Sequence, residues 1–161
     1  MNGLRFLLLL SIFLYSSSCK TNKVDLQHLE NNGELILSME RTPCFGACAV
    51  YEMKLFSNGL LLYNGKRFTE KTGCCYRKAS KEEVKSVTDY IASSGFFELE
   101  NKYPVAGKAP TDLPGSTLYF KHGNNEKTIS ERSWETPFLL IEIEKKVDSL
   151  IQLKILQFCD N

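Results

Sequence analysis

The chain has 161 residues, enough for one domain with a short appendage, because domains commonly have about 100–200 residues. Hydrophobic residues make up 43% of the chain and charged residues 24%, which excludes an intrinsically disordered chain and a multi-pass membrane protein. Lys and Arg total 20 and Asp and Glu total 19, so the formal net charge of +1 provides no field that would attract nucleic acid.

The first residues of the chain form a pattern typical of a secretory signal. Arg5 is followed by an apolar run over residues 6–15, then by three serines and Cys19. The run has about 10 residues, fewer than the roughly 20 that a membrane-spanning helix needs. A cationic start, a short apolar segment and small residues at the exit predict a signal peptide over residues 1–18.

Cys19 directly follows the small residues, and this arrangement resembles a bacterial lipoprotein signal of the Bacteroidetes type. Ser16 departs from the leucine that is usual three residues before the cysteine. We expect Cys19 to be the acylated first residue of a mature protein held on a membrane of the cell envelope, at the outer membrane or the periplasmic face. Firm anchoring needs more than one acyl chain, so palmitate is an expected component. The alternatives are ordinary secretion with a free Cys19 thiol, and an uncleaved anchor.

Residues 19–32 are polar and predict a tether, in which His28 is solvated rather than a ligand.

The segment after the tether is predicted to form strands. Alternation predicts strands over residues 35–40 and 51–55, and Asn58-Gly59 predicts a hairpin to a third strand at 60–63. A fourth or edge strand is expected within residues 73–77.

The second half of the domain is predicted to contain two helices separated by a hairpin. A capping box at Ser80 begins the first helix, and Gly95 ends it. Residues 101–115 form a loop rich in proline and glycine, and a hairpin occupies residues 118–129. Pro137 occupies the start of the last helix, where proline is favoured.

These elements predict one α+β domain over residues 33–161. Its order is β-β-β-(β)-α-β-β-α: a β-meander and a later hairpin form an antiparallel sheet, and two helices cover one face of it. The acidic residues of the last helix, including Glu144 and Asp148, are expected on its solvated side.

A cysteine motif joins the first two strands. Pro43 and Gly46 disfavour regular structure around Cys44 and Cys48, so both thiols are expected on a constrained loop. Such a loop can bring their Cα atoms into the disulfide range of about 4.4–6.8 Å. The bond would persist in an oxidising cell envelope.

The segment over residues 40–51 resembles the signature of an uncharacterised bacterial lipoprotein family catalogued as domain of unknown function 6438. Supporting matches are the Asn-Gly hairpin at 57–59, the helix start at 80–83, Thr-Asp-Leu-Pro at 111–114 and the proline at 137. The resemblance covers roughly residues 34–153 and implies an envelope location and an α+β domain, with no reaction known for the family. Ala49 departs from the usual proline of the signature. Three cysteines lie outside the family pattern: Cys74, Cys75 and Cys159.

Three kinds of chemistry are open to the cysteines. A structural Cys44–Cys48 disulfide, or two buried thiols, is the expectation. Redox catalysis usually places a Cys-X-X-Cys motif at a helix start, which this spacing ahead of a strand lacks. Zinc needs four ligands, and Cys74 and Cys75 are neighbours that point to opposite faces of a strand, so no metal site is expected. After modification of Cys19 an odd number of thiols remains, and Cys159 in the tail is expected to stay unpaired.

Other catalytic signatures are missing from the sequence, including Gly-x-Ser-x-Gly, His-Glu-x-x-His and a phosphate-binding glycine loop. We therefore expect no catalytic residue and no cofactor. Arg41, Tyr51 and Asp112 are the candidates for a functional polar surface. The alternatives are a cross-strand or loop hydrogen bond for Arg41 and an Asx turn for Asp112.

The resulting expectation is a cell-envelope lipoprotein whose domain binds a protein or glycan partner without catalysis, and which does not bind nucleic acid. An inhibitor or immunity-type protein is a variant of this interpretation that differs only in its partner. The alternative is a thiol redox protein or sensor that uses Cys44 and Cys48.

Overall fold

A computed structural model describes residues 26–159, so the expected signal peptide and Cys19 lie outside the described residues. The helices are α1 (Leu26–Asn31), α2 (Lys81–Ser93) and α3 (Phe138–Asp148). The strands are β1 (Leu35–Arg41), β2 (Val50–Phe56), β3 (Leu60–Arg67), β4 (Gly73–Lys78), β5 (Lys102–Tyr103), β6 (Ser116–His122), β7 (Asn125–Glu131) and β8 (Gln157–Phe158). Short 3₁₀ turns follow α2 at Phe96–Glu98 and α3 at Leu153–Ile155.

All the strands form one sheet in the order β5-β7-β6-β1-β2-β3-β4-β8. Neighbouring strands are antiparallel except for β5 and β7, which are parallel. The α+β class and the antiparallel core of the sheet are as the sequence predicts. The predicted element order is incomplete, because the structure adds α1, β5 and β8. These elements have six, two and two residues, too few to produce a periodic pattern.

The alternation of side chains along the strands gives the sheet a covered face and an open face. The covered face carries Leu37, Met39, Met53 and Leu55, which form one buried cluster with Val87 and Ile91 of α2 and Leu140, Ile143 and Val147 of α3. The open face carries charged pairs such as Glu40 with Lys66 and Glu52 with Lys54, separated by 3.1 Å in each case. The polar composition of the open face suits contact with water.

Helix α2 begins where the sequence predicts. The Ser80 hydroxyl accepts a hydrogen bond from the Glu83 amide, and the Glu83 carboxylate accepts one from the Ser80 amide. Gly95 follows the helix with a left-handed backbone (φ 93°), a conformation that glycine adopts without strain. The chain then turns Phe96 into the core, where its ring packs edge-on against Phe120 at 5.7 Å between ring centroids.

Candidate functional site

A polar row crosses the covered face at one end of the sheet. Arg41 ends β1, and the strand register places Tyr51 on one side of it and Ser116 on the other. Helix α3 passes over this row. Glu144 and Asp148 are four residues apart and therefore lie on the same side of α3. Arg41 donates from Nη1 to Oε2 of Glu144 at 2.7 Å and from Nη2 to Oδ2 of Asp148 at 2.8 Å.

The carboxylates of Glu144 and Asp148 are fully engaged. The Tyr51 hydroxyl donates to Oδ1 of Asp148, and the Ser116 hydroxyl donates to Oε1 of Glu144. Each of the four carboxylate oxygens therefore has a partner on the sheet. Within residues 26–159 no buried side-chain nitrogen or oxygen lacks a hydrogen bond. The network joins α3 to three adjacent strands.

Burial and charge together set the protonation of this network. Burial opposes the charge of Arg41, but the two carboxylates outweigh it and hold the pKa of the guanidinium above its usual value. Burial raises the pKa of Tyr51, and its bond to Asp148 adds to the rise, so the phenol stays protonated. Burial also raises the pKa of Glu144, an effect that Arg41 and Ser116 partly offset. A protonated phenol already bonded to a carboxylate is poorly suited to act as a base.

The expected place of the α3 carboxylates is corrected by these contacts. The side chain of Glu144 is only 5% exposed, and Asp148, although 36% exposed, also bonds to the sheet through Arg41. The ion-pair partner of these two acidic residues is Arg41, about 100 residues earlier in the sequence. The sequence of α3 alone therefore does not show which of its charged residues are paired. The spacing of four residues indicates that Glu144 and Asp148 lie on one side of α3. It does not indicate that this side faces the sheet.

Next to the polar row lies a groove with a volume of about 760 Å³. One side is formed by the ends of β2 and β3 and by the loop between β3 and β4, and the other side by the chain that follows α3. Its apolar lining residues are Ala49, Tyr51, Tyr63, Phe68, Ile151, Leu153 and Ile155, and its polar lining residues are Thr69, Glu70, Asp148, Ser149, Gln152 and Lys154.

Both sides of the groove contain a residue with unusual backbone geometry. Phe68 has φ 52° and Gln152 has φ 45°, and no other non-glycine residue of the described part of the chain has a positive φ. Side chains rarely tolerate this region, and such residues concentrate at functional sites. The Phe68 ring is 56% exposed, and the Arg67 guanidinium lies over it at 5.1 Å from the ring centroid.

The predicted cysteine loop lies between β1 and β2. Cys44 and Cys48 are at disulfide distance, with Cα atoms 5.8 Å apart. Phe45, between them, is 93% exposed, and its amide donates to the carbonyl oxygen of Asp112 at 3.1 Å.

Of the three predicted polar residues, the structure brings Arg41 and Tyr51 together. Asp112 lies apart from them, on an exposed loop beside the cysteines.

Cys159 is paired, contrary to the expectation that it stays free. It lies at disulfide distance from Cys74, with Cα atoms 5.4 Å apart, because β8 pairs with β4 and leads residue 159 back to residue 74. Cys75 is the free cysteine of residues 26–159; it is buried, and burial raises the pKa of its thiol. The same residues contain no group of three His, Cys, Asp or Glu side chains placed to hold a metal ion.

Helix α1 occupies part of the expected tether. Leu29 accepts a hydrogen bond at its carbonyl oxygen from Nδ2 of Asn58, at 2.6 Å, so α1 contacts the turn between β2 and β3. His28 lies in α1 with an exposed side chain. None of the helices within residues 26–159 combines the length and the hydrophobicity needed to cross a bilayer.

Comparison with known proteins identifies the family of the chain but no activity. No curated protein matches the sequence. Residues 35–151 match the family described as Domain of unknown function (DUF6438), and this stretch runs from the first residue of β1 to just beyond α3. It contains the polar row and the Cys44–Cys48 loop and covers more than half of the chain, so the protein belongs to the DUF6438 family.

Proposed function

We propose that this protein is a cell-envelope lipoprotein, acylated on Cys19, whose domain binds an apolar segment of a protein partner in the groove beside the polar row. The observation that carries the binding role is the convergence of the two strained non-glycine residues, Phe68 and Gln152, on one largely apolar groove. The hydroxyls of Tyr51, Thr69 and Ser149 and the amide of Gln152 already donate hydrogen bonds within the protein, and the groove is largely apolar, so an apolar peptide fits it better than a sugar. A glycan ligand is therefore an alternative outcome of the test.

The orientation of the domain supports this proposal. Helix α1 contacts the β2–β3 turn, whereas Ala49 and Phe68 of the groove lie beyond the opposite ends of β2 and β3. Cys19 precedes α1 by a few residues, each of which spans at most about 3.6 Å. An acyl anchor on Cys19 would hold the α1 end near the membrane and leave the groove facing away from it.

The cysteine pairs support export. Cys44 with Cys48 and Cys74 with Cys159 lie at disulfide distance. Disulfides persist in oxidising compartments and are rare in the reduced cytosol. Two such pairs in one small domain fit the envelope location that the N-terminal sequence predicts.

Mass spectrometry of the protein purified from cells tests the anchor. We expect wild-type protein to begin at an acylated Cys19 and to label with a palmitate analogue, and Cys19→Ala to lose both properties. Cys75→Ser is the matched control and should remain acylated, because Cys75 is buried in the core. A wild-type protein that retains Met1 and carries no acyl chain contradicts the lipoprotein proposal.

Photocrosslinking in intact cells tests the groove. A photoreactive phenylalanine analogue at position 68 should capture a protein, and the same analogue at the exposed position 138 should not. Ala49→Trp, which fills the groove, should abolish the product, whereas Ala47→Trp on the neighbouring loop should not. Equal capture at positions 68 and 138 would refute the groove as a specific site, and a product digested by glycosidases would assign it to glycans.

The thiol redox alternative rests on the exposure of the Cys44–Cys48 loop, where Phe45 is almost fully accessible. Residues 42–49 form bends and irregular backbone, so Cys44 lacks the helix N-terminus at which redox-active cysteines usually lie. The reduction potential of the pair discriminates: a value below about −300 mV indicates a structural bond, and a higher value favours redox activity.

A further inference from the structure

We propose that the Cys74–Cys159 bond is a redox clasp that holds one wall of the groove in place, so that the groove is complete only in the oxidised protein. The consequence for partner binding rests on the function proposed above. The clasp itself is a property of the fold and can be tested without a partner.

The wall in question is the chain that follows α3. It supplies Ser149, Ile151, Gln152, Leu153, Lys154 and Ile155 to the groove lining. The stretch from Gln152 onward lies beyond the residues that match the family. Cys159 follows the last residue of β8 and connects the end of this stretch to β4.

The upstream end of the wall is fixed independently of the disulfide. The carbonyl oxygen of Leu150 accepts hydrogen bonds from Nε and Nη2 of the buried Arg77, at 2.9 and 2.7 Å. Leu150 and Ile151 are themselves buried. Nε2 of Gln152 also donates to Oε1 of Glu83 at 2.8 Å, so the chain is held as far as residue 152, and a hinge is expected at the left-handed backbone of that residue.

The downstream end also has noncovalent attachments: Leu153 packs half-buried against the core, and Nζ of Lys71 lies 5.4 Å from the centroid of the Phe158 ring. Strand β8 pairs with β4 at two positions only, and both of its residues are exposed. Leu156 is buried, and its carbonyl oxygen accepts a hydrogen bond from Nζ of Lys71 at 2.6 Å. So short a strand pair is marginal without further support. The bond between Cys74 and Cys159 is therefore the covalent element that keeps the wall against the sheet.

The strand geometry makes this bond accessible and specific. Cys74 is exposed on β4, whereas Cys75, its neighbour, is buried, as expected for alternating side chains. The amide of Cys159 donates to the carbonyl oxygen of Cys74 at 3.0 Å, which sets residue 159 beside residue 74. A reductant can reach the bond from solvent, and the buried Cys75 thiol is poorly placed to exchange with it.

Opening requires a dithiol reductant. One of its thiolates attacks a sulfur of the Cys74–Cys159 bond and forms a mixed disulfide, and its second thiol then displaces that sulfur. Two electrons and two protons pass to the protein, Cys74 and Cys159 become thiols, and the reductant becomes a disulfide. Oxidation by a disulfide of the same class reverses the step and closes the wall.

Hydrogen exchange measured by mass spectrometry on the full-length protein tests the clasp. We expect amides of residues 152–158 to exchange at least tenfold faster in Cys74→Ser/Cys159→Ser, and in wild-type protein treated with dithiothreitol, than in oxidised wild type. Amides of β1, β2 and β6 should keep their protection. Cys44→Ser/Cys48→Ser is the matched control, and its residues 152–158 should exchange as slowly as those of oxidised wild type.

Each outcome decides the proposal. Slow exchange at residues 152–158 without the bond overturns it, because other contacts then hold the wall. Loss of protection throughout the sheet also overturns it, since the bond would then stabilise the whole fold and would not act as a local clasp. Crosslinking from position 68 in the Cys74→Ser/Cys159→Ser variant tests the link to binding separately. Its persistence beside fast exchange would refute redox control of the groove but leave the groove as a binding site.

Discussion

Arg41 ties α3 to the sheet beside the apolar contacts of that helix. Its guanidinium is the cation shared by Glu144 and Asp148, and Glu144 is nearly inaccessible to water. Removal of one partner of a buried ion pair leaves an uncompensated charge, which costs more than the intact pair contributes. The polar row therefore stabilises one docking position of α3 on the sheet.

Arg41→Met should lower the free energy of unfolding by about 3 kcal/mol at neutral pH, measured by urea denaturation, because it leaves Glu144 buried without its cation. Lys66→Met is the control. It removes an exposed cation from Glu40 and should change stability by less than about 1 kcal/mol. Equal losses in the two variants would show that the row does not position α3.

The loss in Arg41→Met should also depend on pH. Burial raises the folded pKa of Glu144 above its usual 4.5, and removal of Arg41 raises it further. A raised folded pKa contributes stability that is fully present below the unfolded value and is lost as pH rises through the folded value. The deficit of the variant should therefore be largest at neutral pH and shrink toward pH 4.5 in a series of denaturation curves.

Gly65 permits the loop between β3 and β4 to lie close to β3. A Cβ atom at this position would overlap the backbone carbonyl of Lys71, which cannot move without displacing the loop that carries Phe68. Gly65→Ala should lower the free energy of unfolding by about 2 kcal/mol in thermal or urea denaturation. Gly46→Ala is the control, because its Cβ would meet Cys44 at an ordinary 3.6 Å, and a similar loss there would contradict this account.

At the residue scale, the sequence identified one half of the site. Arg41 and Tyr51 could be chosen as candidates for a functional polar surface because they flank an unusual cysteine motif. The strand register brings the two residues together. The sequence places their partners Glu144 and Asp148 on the solvated side of α3, which is wrong. A sequence indicates which side of a helix a residue occupies, but it does not indicate the angle at which the helix crosses a sheet. The groove was not predicted, since its two sides are joined only by the tertiary fold.

At the scale of elements, α2 is tied to β4 through Glu83. Its carboxylate accepts hydrogen bonds from Arg77 at 3.2 and 2.9 Å while it also caps the helix. Arg77 and then the Ser80 amide hold the pKa of Glu83 below its usual value of 4.5. Oε1 of Glu83 also accepts a hydrogen bond from Nε2 of Gln152 at 2.8 Å, so one side chain links the start of α2, the sheet and the chain after α3.

Glu83→Gln should lower the free energy of unfolding by about 1–2 kcal/mol at neutral pH, because glutamine keeps the capping bond but loses the charge that faces Arg77. A lowered folded pKa contributes stability that is present above the unfolded value and lost as pH falls through the folded value. The difference from wild type should therefore close as pH drops below 4.5. Glu82→Gln, at an exposed position on the same helix, should show a much smaller effect at every pH, and equal effects would contradict the assignment.

The sequence predicts elements well where a local signal exists. The capping box at Ser80 and the Asn58-Gly59 hairpin specify their own boundaries through short-range hydrogen bonds. The strands β5 and β8 carry no such signal, because each has two residues and forms only when a neighbouring strand is already in place. Helix α1 is likewise short and carries no buried side chain.

At the scale of the whole molecule, the Cys74–Cys159 pair joins two parts of the chain 85 residues apart, a pairing that the sequence does not predict, whereas the Cys44–Cys48 pair closes one loop. We expect a peptide map of unreduced protein to show Cys44 linked to Cys48 and Cys74 linked to Cys159. A maleimide should label Cys75 only in denaturant, because its thiol is buried and its pKa is raised by burial. Labelling of Cys159 in native protein would contradict the pairing.

The overall α+β class can be predicted from the hairpin signals and the two amphipathic helices. The order of the strands at the edges of the sheet cannot be predicted from these local signals. Joining β6 to β1 depends on the return of the chain after the loop at residues 101–115, a long-range pairing with no local code. The same limit left Cys159 without a predicted partner, since the pairing of β8 with β4 spans about half of the chain.

The short edge strands have a consequence for association between copies of the protein. A sheet whose outermost strand is long and flat invites the backbone of a neighbouring molecule to extend it, and such additions propagate into fibrils. Here the final strand at each side has only two residues and covers part of the strand next to it, so each edge is short and stepped, and the β8 side is also crosslinked to β4. Under the membrane anchoring proposed above, copies held at high local density would therefore have little tendency to join edge to edge.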